Sequence, residues 1–420
     1  MSPRRRRKKR TYAEQCLEEA EPTEQPRCAY FGECGGCAWQ TVAYDRQLEF
    51  KRAWIEKQLA ECGFDAVEIP LPAPSPDIYG YRNKMEFSFA AWRWLTRAEI
   101  ASGEEYDRGF ALGMHAAGAY DRVIDIQPCP LQTDEANRLL DATRAFARSS
   151  GEEPYSVRRQ DGFFRYLSLR VGVQTGQTAV VLTTTERNEP LMRRYVQFLA
   201  EKGMEPHVVA NGVTDRLGSS SEGAEIHIDG GAPTFQERLG PFIFDLAPDS
   251  FFQPNTMAAE MLCGVTAECA GLTGDETALD LYCGVGALSL FLAQKAERVI
   301  GIEKAVSAAK LAYRNAQQNS FENAFFLEAD LDKGLPNLPI GRPEVVVADP
   351  PRAGVHPKAI RGILELKPLR IVYVSCNAKA QAQDMARLCA SGRYRLIKTQ
   401  PIDMFPQTPH VENVAVLERR

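Results

Sequence analysis

No run of 18 or more apolar residues occurs anywhere in the 420-residue chain, which argues against a membrane-spanning helix. The first ten residues also lack the apolar core of a secretory signal. They hold seven of the 50 basic residues instead, and a cytoplasmic protein is expected. Nor is there a global excess of positive charge. The net charge is −5, so a nucleic-acid partner has to be met by local basic patches. The 11 cysteines are an odd number, and in a cytosolic chain they read as metal ligands, nucleophiles and buried residues rather than disulfides. What composition does supply, 44% hydrophobic and 25% charged residues, is that of a soluble globular protein. The length calls for two or three domains.

Residues 1–27 pass from a basic run at 4–10 into an acidic stretch with Glu14, Glu18, Glu19, Glu21 and Glu24. Such a composition buries little apolar surface and is expected to form a disordered tail, either a phosphate-binding arm or merely solvated. Cys28, Cys34 and Cys37 follow in a C-x5-C-x2-C spacing with Gly32, Gly35 and Gly36 between them. Three thiolates need a fourth ligand, which Cys129 between two prolines offers. This set suits an iron–sulfur cluster better than zinc; buried, unligated cysteines are the third alternative. From Thr41 to Cys62 the apolar Tyr44, Leu48, Ile55, Leu59 and Cys62 recur at helical spacing, while Asp45, Arg46, Glu49, Arg52, Glu56 and Lys57 fill the wet face.

A proline-rich connector at 70–76 marks a boundary. Beyond it, residues 72 to about 250 read as an α+β region dominated by antiparallel strands. Arg82 and Lys84, flanked by Tyr79 and Tyr81, form the basic and aromatic mixture that grips phosphates and stacks bases. Arg165 and Arg170 fall on opposite faces of one strand and cannot line the same groove.

From about Ala278 the pattern changes to alternating strand and helix, a Rossmann-like α/β arrangement. Asp280-Leu-Tyr282-Cys-Gly284-Val-Gly286 is a strand end, a glycine turn and a helix start that lets backbone approach a ligand closely. The third glycine of a dinucleotide-binding turn is missing. Glu303, ending the next strand, is placed to accept hydrogen bonds from both ribose hydroxyls of a nucleoside, and Asp330, ending the third, to meet an adenine amino group. These are parts of an S-adenosylmethionine site. The fourth strand runs into Asp349-Pro-Pro-Arg352, whose prolines fix a rigid turn and aim Asp349 into the crevice. The buried strand 371–375 delivers Cys376 and Asn377 at its tip, and His410 and Glu412, two apart in an extended segment, are expected to face the same side.

With Asp280-Leu-Tyr-Cys-Gly-Val-Gly286, Asp349-Pro-Pro-Arg352, Ser375-Cys376-Asn377 and His410-Val-Glu412 in this order, the chain resembles the RNA uracil-5-methyltransferase family. Tyr81-Arg-Asn-Lys84 and Phe251-Phe252-Gln253-Pro-Asn255 match as well, so the likeness spans residues 28–420. The resemblance implies a Rossmann-like class I methyltransferase domain plus an α+β central domain carrying a 4Fe-4S cluster on Cys28, Cys34, Cys37 and Cys129, as in the family's ribosomal branch. It implies Cys376 as nucleophile and Glu412 as base, with Gln253, Tyr282, Gly284, Glu303, Asp330 and Asp349 in the cofactor and target pocket. The implied division is a tail at 1–27, a central iron–sulfur and RNA-binding domain at 28–39 and 72–250, and a discontinuous methyltransferase domain at 40–71 and 251–420. Two departures stand out. Ala287 occupies the position where the glycine turn often continues with an asparagine, and the β-barrel (TRAM) RNA-binding module that commonly precedes the cluster is missing.

The implied activity is methyl transfer from S-adenosylmethionine to carbon 5 of a uridine in 23S ribosomal RNA by a monomer, through a covalent Cys376 adduct. The same reaction on transfer RNA is the alternative within enzymes. A non-catalytic RNA-binding or iron–sulfur protein is the alternative outside them. Carbon 5 of uracil is a weak nucleophile, and thiolate addition at carbon 6 turns it into an enolate carbon. A base must afterwards remove the original hydrogen. The target base has to leave its stack, and Phe252 is a candidate to replace that stacking.

Overall fold

A computed structural model describes residues 11–216, 218, 220–336 and 342–420. The basic run at 4–10 lies outside the described residues. Where a disordered tail is expected, residues 12–19 instead form helix α1 (Tyr12–Glu19). Thr11 caps it in a reciprocal box with Glu14. Its apolar face, Tyr12, Ala13, Cys16 and Leu17, closes on Trp39, Val42 and Phe50, and the Tyr12 ring lies 4.6 Å from that of Trp54. Composition misleads here because the acids sit on one side and the few apolar residues repeat at helical spacing on the other.

Helix α2 (Tyr44–Ala60) follows and precedes a sheet built from β1 (Lys84–Ala90), β2 (Ala111–His115), β3 (Val123–Asp125), β4 (Phe164–Val171), β5 (Thr178–Thr184), β6 (Val208–Val213) and β7 (Glu225–Gly231), with helices α3 (Arg97–Ser102), α4 (Asp134–Ser149) and α5 (Glu189–Glu201) between them. Its order is β3-β2-β1-β4-β5-β6-β7. All pairings are antiparallel except β5–β6, where α5 supplies the crossover that parallel strands require. Leu139, Leu140 and Phe146 of α4 and Tyr195 and Leu199 of α5 bury the sheet through Phe87, Leu167 and Val180. Arg165 and Arg170, both buried, are used structurally: Arg165 donates to the carbonyls of Thr214 and Arg216, and Arg170 to those of Ala247 and Ser250.

A hairpin of β8 (Phe235–Leu239) and β9 (Phe242–Leu246) and helix α6 (Thr256–Ala270) lead to the second sheet. It contains β10 (Thr277–Leu281), β11 (Arg298–Glu303), β12 (Ala324–Glu328), β13 (Val345–Ala348), β14 (Arg370–Ser375), β15 (Tyr394–Ile402) and β16 (Glu412–Arg419), interleaved with α7 (Ala287–Ala293), α8 (Val306–Gln318), α9 (Pro357–Leu366) and α10 (Ala378–Cys389). The order is β12-β11-β10-β13-β14-β16-β15. The first five strands are parallel and β16 runs antiparallel to both neighbours. Strand alternation sends Ala278, Val299, Val345, Val347 and Val372 to one core with α6 and α7. The opposite residues Leu279, Ile300, Val346 and Ile371 meet α9, α10 and the Ile55–Leu59 end of α2 in another. The order in which strands are laid down reverses between the parallel β10 and β13, and a doubly wound sheet opens its ligand crevice at the carboxyl ends of such strands. Among the described residues no helix is long and apolar enough to cross a membrane.

Candidate active site

Cys376 is held between two rigid elements. It follows β14, whose residues after Arg370 are buried, and precedes Asn377, whose side chain caps α10 by accepting from the Ala380 amide. The Ser375 hydroxyl accepts from the Asn377 amide at 3.0 Å. The Asn377 side chain donates to the Arg352 carbonyl at 2.8 Å, tying this tip to the Asp349–Arg352 turn after β13. Antiparallel pairing sets Ser375 opposite Asn413, so Glu412, the first residue of β16, arrives beside Cys376. Glu412 is buried, and its Oε2 has no hydrogen-bond partner.

The electrostatics of this cluster follow from burial. It pushes the Cys376 thiol up to about 11, with Glu412 and Asp349 adding to the rise and Arg352 opposing it by charge and hydrogen bond. Burial raises Asp349 to about 7, against a hydrogen bond from Gln253 Nε2 at 3.3 Å. Glu412 is raised well above the usual carboxylate range by burial and by Asp349, again with Arg352 in opposition. Two carboxyl groups and a thiol thus compete for protons around one exposed guanidinium.

The neighbouring crevice lies at the ends of β10 and β11. Tyr282 adopts φ 66°, a strained conformation for a non-glycine residue that marks functional turns, and its buried hydroxyl has no partner. Gly286, at φ 89°, caps α7, and any side chain there would crowd Ala312 and the Phe326 ring. Glu303 accepts from the Gly284 amide at 3.0 Å through one oxygen and from the Ala305 amide at 2.8 Å through the other. Its carboxylate is therefore oriented before any ligand arrives. The glycine backbone, the fixed acid and the unpaired tyrosine hydroxyl fit a nucleoside-bearing cofactor.

The structure departs from the sequence expectations in three places. Asp330 does not end a strand: β12 stops at Glu328, and Asp330 caps a single 3-10 turn and pairs with Lys304 at 3.2 Å. His410, exposed and edge-on to Phe405, and buried Glu412 both lie near the Arg352 charge. Phe252 packs in the core against Phe244 and is not available to a base. Tyr81 is likewise buried, donating to the Pro406 carbonyl at 3.0 Å.

Sequence reasoning missed the staple that holds the loop before Glu412. Lys51 of α2 is fully buried and pairs with Asp403 at 2.6 Å; it also donates to the Phe405 carbonyl. Tyr44 donates to the other Asp403 oxygen, and Gln47 and Gln407 exchange bonds alongside. The signal was present. Lys51 lies three residues after Leu48 and four before Ile55, on the apolar stripe rather than the wet face.

The four sequence-selected cysteines Cys28, Cys34, Cys37 and Cys129 converge from two distant segments. Cys129 raises the pKa of each of the other three thiols by its proximity, although burial is the larger cause in all of them. The Gly36 amide donates to Cys34 Sγ at 3.3 Å. Among the described residues no group of three or more histidine, cysteine or acidic side chains is arranged to hold a single metal ion.

Comparison with known proteins fits this geometry. The family described as tRNA (uracil-5-)-methyltransferase matches residues 235–330 and 341–420. An uncharacterized RNA methyltransferase of Chlorobaculum tepidum is 39% identical over 96% of this chain and 85% of its own. One of Bacteroides thetaiotaomicron is 37% identical over 99% and 93%. The solved structure of Pyrococcus abyssi tRNA (uracil-54, C5)-methyltransferase with S-adenosyl-L-homocysteine superposes with a TM-score of 0.72 at 30% identity, covering 91% of this chain and 85% of that one.

Proposed function

The chain belongs to the RNA uracil-5-methyltransferase family, and from that premise we propose that it methylates carbon 5 of a uridine in 23S ribosomal RNA, acting as a monomer through a covalent adduct on Cys376. The observation that carries this reading is the meeting of Cys376, Asp349, Arg352 and Glu412 at one sheet edge beside the glycine turn and Glu303. Gln253, Tyr282, Gly284, Glu303, Asp330 and Asp349 line the cofactor and target pocket in this reading. S-adenosylmethionine, when bound there, supplies an electrophilic methyl group.

The residues of the chain do the rest. Cys376 gives up its proton, and Asp349, poised at about 7, is the neighbour suited to take it. The thiolate adds to carbon 6 of uracil and moves the ring electrons onto carbon 5 and its carbonyl, where Arg352 can meet the developing charge. Carbon 5 then takes the methyl group. Ionised Glu412 removes the remaining carbon 5 hydrogen, and the released electron pair restores the double bond and expels the Cys376 thiolate.

We assign residues 28–39 and 72–250 to a central RNA-binding unit and 40–71 and 251–420 to the methyltransferase unit. Within the first, Cys28, Cys34, Cys37 and Cys129 take a 4Fe-4S cluster in this reading. Their soft thiolates and the N–H···S bond at Cys34 support it, and a polynuclear cluster spreads its ligands wider than one ion does. When bound, the cluster staples the Cys28–Cys37 loop to the segment before α4. Iron and sulfide in the anaerobically purified protein at cluster stoichiometry support the assignment; zinc or no metal contradicts it.

The likeness to the Pyrococcus abyssi tRNA (uracil-54, C5)-methyltransferase favours transfer RNA as a second reading. Nucleoside mapping of RNA from cells lacking the gene decides between them. Loss of 5-methyluridine from 23S RNA supports the first reading, and loss from transfer RNA alone supports the second.

A further inference from the structure

A cavity of about 480 Å³ opens in the first sheet region, and its lining shares no residue with the methyl-transfer crevice. Its volume lies within the roughly 300–1,000 Å³ typical of ligand sites. The floor is aromatic and cationic: Arg165 lies over the Tyr155 ring at 4.6 Å and the Tyr166 ring at 5.4 Å. One wall is Trp94, with the Arg122 guanidinium stacked 4.2 Å from its ring. Trp92 and Tyr120 stand at the mouth, 59% and 74% exposed. The acid in the lining, Asp121, is paired with Arg158 at 2.9 Å.

His115 belongs to this lining and contacts the Ser88 hydroxyl at 3.0 Å through Nε2, while its Nδ1 is buried away from the cavity with no hydrogen bond. The cysteine-bearing loop backs this residue, since the Gly35 amide donates to the His115 carbonyl at 3.1 Å.

Strand β1 links this cavity to the catalytic edge. Just before the strand, Asn83 donates to the Gln253 carbonyl at 2.8 Å, and Gln253 in turn binds Asp349. At the other end, Ser88, Phe89 and Ala90 line the cavity. At about 3.3 Å per residue the two ends are roughly 17–23 Å apart, a distance that a short extended single strand of RNA can bridge.

We propose that this cavity receives an unpaired nucleobase of the same RNA whose uridine enters the methyl-transfer crevice, and so grips the substrate at a second point. The inference rests on the RNA-methyltransferase reading above. The exposed π-faces take any base by stacking, and the exposed Arg122 guanidinium meets a flanking phosphate. The RNA-binding role that Tyr81 cannot perform from its buried position is taken over by these exposed rings.

Trp92→Ala and Tyr120→Ala remove exposed side chains and leave the core untouched. Each is expected to weaken binding of a fluorescent single-stranded polyuridylate of about 20 nucleotides by about 5- to 100-fold. In methylation of total RNA the loss should appear in KM rather than kcat. Photocrosslinking of 5-iodouridine-substituted RNA to the wild type should map to Trp92, Trp94 or Tyr120. If the wild type binds and methylates RNA and both variants match it, the inference fails while the functional reading stands. If the wild type neither binds nor methylates RNA, both fall. Free uridine monophosphate binding as tightly as the polyuridylate makes the cavity a small-molecule site and also overturns the inference.

Discussion

Cys376 carries its proton at neutral pH in the free protein, because burial and the acids around it push the thiol up to about 11 while Arg352 alone pulls it down. Arg352 acts in the same direction on Glu412. In the proposed reaction both groups act ionised, so activity is expected to rise with pH through the neutral range, with apparent constants that belong to the coupled cluster. Arg352→Ala removes the stabilising charge from both anions. Its pH–rate profile should shift to higher pH and its kcat fall by at least tenfold, as read by methyl incorporation across a pH series; an unshifted profile contradicts this role. Asp280 offers a separate test through stability. Fully buried in β10, it accepts a hydrogen bond from Ser289, and burial raises its pKa from 3.8 to about 7. A raised carboxyl binds more protons folded than unfolded, so the folded state is favoured below about pH 4 and loses that advantage as pH climbs to about 7. Asp280→Asn should flatten this slope in denaturant titrations and gain on the order of 1–4 kcal/mol at pH 8. The positions of Cys376, Asp349 and Glu412 at a sheet edge were legible because each lies in a short polar motif beside an apolar run. Their protonation was not, since it depends on burial and on neighbours from other strands.

At the level of elements, α2 does more than cover a sheet. Its Lys51 locks Asp403, and Asp403 accepts from the Phe405 amide at 3.0 Å, fixing the loop that leads to Glu412. Lys51→Met leaves a carboxylate buried without its cation and should destabilise the fold by about 3–5 kcal/mol. Adding Asp403→Asn should recover much of that in a double-mutant cycle followed by urea unfolding. Additive losses would mean the pair does not act as a unit. Helical spacing revealed α2 and the apolar stripe, but only the fold shows what Lys51 meets on that stripe. The α1 helix was missed for a related reason: a short acidic segment reads as solvated until Trp39 and Phe50 are known to wait beside it. The end of β12 was misplaced by two residues because Ala329 and Asp330 continue the strand pattern into a turn that Asp330 itself caps.

Across the whole molecule, the strand–helix alternation after Ala278 was readable as a doubly wound sheet, and the reversal between β10 and β13 places the crevice where such sheets bind ligands. The antiparallel insertion of β16 between β14 and β15 was not readable, yet that pairing brings Glu412 to Cys376. Within the first sheet, the antiparallel character was legible from alternation, whereas the single parallel pair β5–β6 depends on a crossover helix that the sequence reading left out. The two sheets are joined where Asn83 donates to the Gln253 carbonyl, which ties the proposed RNA grip to the proposed catalytic edge. The central claim is covalent catalysis by Cys376 with Glu412 as the eliminating base. Its most direct test incubates the Glu412→Gln protein with S-adenosylmethionine and total RNA and resolves the products on a denaturing gel. The account predicts a protein–RNA adduct that accumulates in Glu412→Gln and disappears when Cys376→Ala is added; absence of any adduct, together with normal turnover by Cys376→Ala alone, would contradict it.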